Sequence, residues 1–225
     1  VMSRNKFDTE LLSLQGDVAV DADCRRVAQA VLDKWGRIDA LVNSAGTTKF
    51  VAHADLEGLS AEDFLAILRV NLVGPFQMIR ACAPALKAAH GCVVNLSSVA
   101  SILGTGSSIA YAASKAALDT MTFSLARALG PEIRLNIVAP GYVRTPWQVA
   151  AHGESGATDL ERRFAEKAPL KAAPEAQDVR HGIEAGDRVE PASTCPRDVR
   201  DTRSGRPRAG PHQCRRGLHC DRARR

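Results

Sequence analysis

From about residue 11 to residue 140, short apolar runs of β type alternate with longer segments whose apolar residues recur at helical spacing. That alternation predicts parallel strands joined by crossover helices, an α/β architecture. The strands read as LLSLQ (11–15), IDALVN (38–43), CVVNLS (92–97) and IRLNIVA (133–139). Between the first two, DADCRRVAQAVLDKWG has a helical apolar stripe, with Asp21 as N-cap and Gly36 as its stop. The segment SAEDFLAILRVNLVGPFQMIRACAPALKAAH opens on Ser60 and Asp63 in capping-box spacing. A third helix begins near Tyr111 and ends at Gly130-Pro131. Its Leu118, Met121, Thr122 and Leu125 fall at i, i+3, i+4 and i+7, a stripe suited to a core or a subunit interface.

The unusual residues lie at strand ends. Gly16-Asp17, NSAG (43–46), Ser97-Ser98 and PGYVRT (140–145) each follow a predicted strand directly. In open α/β sheets ligands bind beyond the carboxyl ends of the strands, so these four turns predict one shared cleft. Within YAASK, Tyr111 and Lys115 stand at i and i+4, on one helix face. A phenol titrates near 10, and a neighbouring cation lowers an acid by roughly 1–3 units, which makes Tyr111 a usable proton donor or acceptor. By itself, Tyr-x-x-x-Lys also arises by chance, with an exposed lysine and a half-buried tyrosine. Ser98, ahead of the glycine-rich LGTGSS, offers a hydroxyl to a carbonyl oxygen whose charge grows during reduction, or else acts as a cap. Asn71 sits mid-helix, where asparagine is a poor helix former that bonds locally, holds water or faces solvent.

Charge alters the picture only at one end. The chain has 225 residues and a formal charge of +5, but residues 180–225 hold twelve arginines and six acids, leaving the rest close to neutral. A neutral body gives no basic face for a phosphate backbone, so nucleic acid is not an expected partner. After about residue 178 aliphatic runs and helical period fade, and the chain divides into a domain over 1–178 and an Arg/Pro/Gly-rich tail over 179–225, read as disordered or out of frame. His212, Cys214, His219 and Cys220 in that tail match no usual zinc-ligand spacing, so no metal site is expected. The tail arginines have no aromatic residue among them to stack on bases. No apolar run approaches the ~18 residues of a membrane span and the start has no secretory core, so the expected location is cytoplasmic.

Taken in order, NSAG, Asn71, NLSSVAS, YAASK and LNIVAPGYVRTP strongly resemble the short-chain dehydrogenase/reductase family, classical type, over residues 1 to about 178. The resemblance implies a doubly wound, parallel Rossmann-type sheet and hydride transfer between NAD(P)(H) and a carbonyl or secondary alcohol. It implies a catalytic set of Asn71, holding a water of the proton relay, Ser98, orienting the carbonyl, Tyr111, the general acid/base, and Lys115, lowering the Tyr111 pKa and holding the nicotinamide ribose. The 13-residue step from Ser98 to Tyr111 fits the family and selects Ser98 over Ser97. Asp17 and Val18 would meet adenine; Asn43, Ala45 and Gly46 form the NAG turn; Pro140, Gly141, Val143 and Thr145 face the nicotinamide carboxamide. Arg4, where a basic residue accompanies a 2′-phosphate, favours NADP(H) over NAD(H). A homotetramer or homodimer through the long helices is implied.

Three departures qualify the resemblance. The family's T-G-x-x-x-G-x-G turn and first strand would precede Val1, and its last hydrophobic helix and TGQ…VDGG strand do not appear. Ser44 replaces a second asparagine. The alternatives are therefore a non-catalytic relative that cannot hold cofactor, or a binding module with an Arg-rich arm. Residues 101–110 and 144–170 would shape the substrate pocket, and their GTGSSIA and WQVAAHGESGATDLERRF stretches suggest a mobile lid.

Overall fold

The computed structural model describes residues 1–4 and 11–188. Its elements run β1 (Met2–Ser3), β2 (Leu14–Gln15), α1 (Asp21–Trp35), β3 (Ala40–Asn43), α2 (Ala61–Leu68), a π turn (Arg69–Val73) and α3 (Gly74–Ala88). They continue through β4 (Cys92–Leu96), α4 (Ala100–Leu103), α5 (Ile109–Leu129), β5 (Arg134–Val138), α6 (Pro146–Lys167) and α7 (Ala176–Arg188). All strand pairs among the described residues are parallel: β1 with β2, and β3–β4–β5 in a separate sheet. The doubly wound α/β fold expected of the sequence is present, with the four predicted strands in place.

Strand alternation assigns the two faces. Leu41, Val93 and Leu135 stand in register across the three strands and join the core cluster formed with α1, α3 and α5. Cys24, Ile79, Leu86, Val93 and Ile133 are fully buried there, and each large aliphatic side chain so buried is worth about 1.5–3 kcal/mol. On the opposite face, α7 covers β4 and β5, while Val42 on β3 is 44 % exposed because none of the described helices covers it. A Cβ at Gly182 of α7 would lie 3.5 Å from Val138, so that helix sits close on β5.

Helix ends depart from the sequence reading in small ways. Val20, not Asp21, is the N-cap of α1: Asp21 and Asp23 lie in the first turn, where their charge favours the helix dipole, and Gly36 ends the helix at φ 72° as expected. Ser60 and Asp63 do form a capping box. Ser108 caps α5, two residues earlier than expected, accepting from the Tyr111 N–H at 3.3 Å. The boundary expected at residue 178 falls inside α7, whose Val179, Gly182 and Ile183 turn inward at i, i+3 and i+4; the remaining tail from residue 189, including the candidate zinc residues, lies outside the described residues.

The segment Ala61–Ala88 is one continuous helix of 28 residues with a mean hydropathy of 1.2 in its most apolar window. By length and composition it qualifies as a membrane span, where the sequence reading expected none: its apolar residues are interrupted by charges and only the continuity of α2, the π turn and α3 brings them to span length. Here it packs against α1, α5, β3 and β4. The π turn has a cause in sequence, because Pro75 lacks the N–H that would close the i+4 bond onto the Asn71 carbonyl.

Candidate active site

The turns after β4 and β5 run side by side beyond the last paired residues. Ser97 N donates to Val138 O at 2.8 Å and Val99 N to Pro140 O at 3.0 Å, which brings the Ser97-Ser98 turn against the Pro140 turn. Ser98 then leads into α4, its hydroxyl accepting from Ala100 N at 3.2 Å in a cap-like contact. The LGTGSS loop leads into α5 through Gly106, whose φ of 111° excludes other residues and lets the backbone run beside the Tyr111 ring.

Tyr111 and Lys115 project from one face of α5, the ammonium 5.8 Å from the centre of the phenol ring. Ser98 hydrogen-bonds the phenol from across the cleft. Lys115 is only 5 % exposed, and its Nζ donates to the Leu96 carbonyl at 2.7 Å. Burial drives this lysine down to about 8, against a smaller upward pull from Asp119. The expected lowering of the Tyr111 pKa is not found. Burial pushes the phenol up, the Ser98 hydrogen bond pulls it part of the way back, and Lys115 has no share in the balance. The physical reason is that a phenolate loses more by leaving water than it gains from a lysine already spent on a carbonyl.

Asn71 is 1 % exposed and its side chain is committed to protein groups. Nδ2 donates to Thr47 O at 3.0 Å and Ser114 Oγ at 2.9 Å, while Oδ1 accepts from Thr47 N at 2.8 Å. It clamps the turn after β3 to α5, and any water it holds falls to its main-chain carbonyl. Ser114, which in turn donates to Tyr111 O at 2.7 Å, was missed by the sequence reading; its only signal is a hydroxyl among alanines in YAASK.

The expected cofactor residues separate into two groups. Ala45 and Gly46 are exposed at the β3 edge of the cleft, and a Cβ on Gly46 would lie 3.9 Å from Lys115 Nζ. Asn43, by contrast, is 8 % exposed and turned inward: it stands in register with Asn95 and donates to its Oδ1 at 2.8 Å, while Asn95 Nδ2 donates to Thr122 Oγ1 at 2.8 Å. This buried chain ties β3, β4 and α5 together. Asp17 accepts from Ala19 N at 2.9 Å, and the Val18 carbonyl accepts from Gln77 Nε2 at 2.7 Å, bracing the turn after β2 on α3. Pro140, Gly141 and Val143 are half-buried; a Cβ on Gly141 would come 2.1 Å from the Phe164 ring, so any larger residue there requires that ring to shift. Thr145 caps α6 by accepting from Gln148 N at 3.4 Å. Arg4 is exposed at the end of β1, its carbonyl held by Gln15 Nε2 at 3.0 Å.

The region expected as a lid is mostly helix. In α6, Gly153 (φ 69°, ψ 170°) breaks the helix, and the half beyond it is fastened by Tyr142 to Ala157 O and by Arg144 to Thr158 and Glu161. The half before it touches the β3 turn through Phe50, whose ring meets Trp147 at 5.8 Å and His152 at 4.9 Å.

The donor set fits a nicotinamide nucleotide. Lys115 has N–H groups beyond the one given to Leu96, beside an open glycine turn, and the buried Ser97 hydroxyl at the same edge lacks a partner among the described residues. No cluster of metal-ligating side chains exists among the described residues.

Residues 3–183 match the family model described as enoyl-(acyl carrier protein) reductase. The chain is 40% identical over 140 residues to 3-oxoacyl-[acyl-carrier-protein] reductase FabG of Thermotoga maritima, covering 61% of this chain and 56% of that one. It is 32% identical over 158 residues to L-fucose dehydrogenase of Mus musculus, covering 68% and 57%. A solved chain from Burkholderia xenovorans, described as a short-chain dehydrogenase/reductase, superposes with a TM-score of 0.71 at 40% identity over 80% of this chain and 70% of that one. Aldohexose dehydrogenase of Thermoplasma acidophilum shares the fold, with a TM-score of 0.76 at 24% identity, covering 83% and 75%. The chain spans just over half the length of the curated relatives it matches. With the family match extending over most of its length and the order of strands, turns and Tyr111–Lys115 helix that such a match requires, the chain belongs to the short-chain dehydrogenase/reductase family.

Proposed function

We propose that this chain carries the catalytic site of an NAD(P)(H)-dependent oxidoreductase acting on a carbonyl/secondary-alcohol pair. The observation that carries the reading is the convergence of the Ser98 hydroxyl, the Tyr111 phenol and the buried Lys115 ammonium at the carboxyl ends of β4 and β3. When bound, the nucleotide supplies or accepts the hydride. Tyr111 donates its proton to the substrate oxygen in reduction and takes it back in oxidation; its raised pKa keeps it protonated, the form that reduction needs. Ser98 orients the same oxygen and stabilises its growing charge. Lys115 holds the ribose with its remaining N–H groups, and Asn71 holds a relay water on the carbonyl that Pro75 denies a regular helical partner. Two relatives named above, an oxoacyl reductase and a sugar dehydrogenase, bear names of carbonyl/alcohol interconversions.

On this reading Asp17, Val18, Ala45, Gly46, Pro140, Gly141, Val143 and Thr145 line the nucleotide cleft, Asn43 braces it from within, and Arg4 favours NADP(H). A homodimer or homotetramer would form through the shallow apolar groove between α3 and α5, lined by Val73, Phe76, Ala117 and Met121, with Phe123 58 % exposed beside it. A cytoplasmic location belongs to the same reading. The alternative reading is a relative that does not hold cofactor.

Thermal shift and tryptophan fluorescence, the latter reporting through Trp35 and Trp147, decide between them. NADPH is expected to raise the melting temperature more than NADH does, and Arg4→Ala to narrow that gap. No response to either nucleotide would give the second reading its support.

A further inference from the structure

Lys115 has an unequal pair of neighbours on its own helix face. Tyr111 stands one turn before it and Asp119 one turn after it on α5. From β4 the lysine meets the Leu96 carbonyl, and it faces the turn after β3, where a Cβ added at Gly46 would lie 3.9 Å from Nζ. The elements packed against α5 add charges elsewhere: Glu62 and Asp63 on α2, Arg69 in the π turn and Arg134 on β5, with none on α4, and none of these enters the balance at Lys115. Asp119 is the one ionised side chain among the described residues whose field reaches the ammonium.

The Asp119 carboxylate is itself anomalous. Its Oδ1 is buried and takes no hydrogen bond among the described residues. A buried oxygen left without a donor costs free energy, so polar satisfaction does not explain it. Charge complementarity to a buried ammonium one turn away does.

We propose that Asp119 is a positioning residue of the active site, a carboxylate behind Lys115 that keeps the buried amine protonated at neutral pH and so keeps its N–H groups available to the cleft. The proposal rests on reading Tyr111 and Lys115 as the working pair. Asp119 acts through Lys115 and touches neither substrate nor nucleotide. With burial alone acting, the lysine would fall below the value of about 8 at which it stands, and the share of ammonium at neutral pH would drop. The sign follows for stability as well. A lysine that titrates lower in the folded than in the unfolded chain makes stability rise with pH between those two values, and removing Asp119 extends that window downward.

The test is a pH titration of the full chain labelled with 13Cε-lysine, without nucleotide or substrate, with the Lys115 resonance identified by its loss in Lys115→Met. The wild-type midpoint is expected near 8. Asp119→Asn is expected to lower it by about half a unit or more, since a charge one turn away acts through an effective dielectric of about 20, and Asp119→Glu to restore it. Asp119→Ser serves as a second neutral variant should the asparagine variant not fold. An unchanged midpoint in the neutral variants, or a fall in Asp119→Glu as large as in Asp119→Asn, would overturn the proposal. Failure of the underlying reading has a different mark: turnover indifferent to Lys115→Met while the Asp119 shift persists.

Discussion

Tyr111→Phe is expected to reduce carbonyl reduction by about 10²–10⁴-fold, the usual worth of a positioned general acid, while the fold is retained. The phenol ring lies beside Gly106 and Ala100 in the α4–α5 corner, and phenylalanine keeps that packing while removing the single proton that the Ser98 hydroxyl and the substrate oxygen would share. Ser98→Ala should fall in the same direction with a smaller loss, because it removes orientation and a stabilising donor but leaves the proton. Steady-state rates at saturating nucleotide measure both. A Tyr111→Phe enzyme within a few fold of the wild type would mean that the proton comes from elsewhere.

The second large effect is on stability. Asn95 is fully buried and links Asn43 to Thr122 through two hydrogen bonds of 2.8 Å. Asn95→Ala strips both partners at once: the Asn43 amide N–H loses its acceptor in a low-dielectric interior, while the Thr122 hydroxyl keeps the bond it donates to the Leu118 carbonyl at 2.7 Å. That orphaned N–H costs about 1–3 kcal/mol and the space vacated by the side chain adds to it, so a loss of about 2–4 kcal/mol is expected. In urea, with a slope of about 2 kcal/mol per molar, the midpoint should drop by about 1–2 M. An unmoved midpoint would show that the Asn43–Asn95–Thr122 chain does not brace the sheet to α5.

Much of this architecture is legible in the residues. The four strands, the capping box at Ser60 and the stop at Gly36 are local signals of period and cap chemistry, and local signals survive without tertiary knowledge. Placing Tyr111, Lys115 and Ser98 around one cleft follows from strand ends and helical spacing. What is not legible is where a polar side chain turns. Asn43 looks like a ligand in NSAG, yet its register opposite Asn95 sends it inward, and only strand pairing reveals that. Asn71 looks like a water holder, yet its amide is consumed by Thr47 and Ser114 from two other segments. The effect of Lys115 on Tyr111 was inferred from spacing alone, whereas the balance at each group is dominated by burial, a property of the whole fold. The α7 helix is not legible in the sequence because its inward stripe is short and Val179, Gly182 and Ile183 are surrounded by charges.

Burial raises the Tyr111 phenol and depresses the Lys115 ammonium. On the proposed function, reversible proton exchange near neutral pH would require the phenol to come down with the nucleotide in place; Lys115 would hold the ribose, and the oxidised nicotinamide would supply positive charge near the phenol. The chain has two tyrosines, so Tyr142→Phe leaves Tyr111 as the single phenol. Ultraviolet titration of that variant near 295 nm, with and without NADP+, follows the ionisation of Tyr111 directly. The account predicts an ionisation above the ordinary tyrosine value in the free chain and a clear downward displacement with NADP+, lost in Lys115→Met. A midpoint indifferent to the nucleotide, under conditions where the nucleotide is bound, would contradict it.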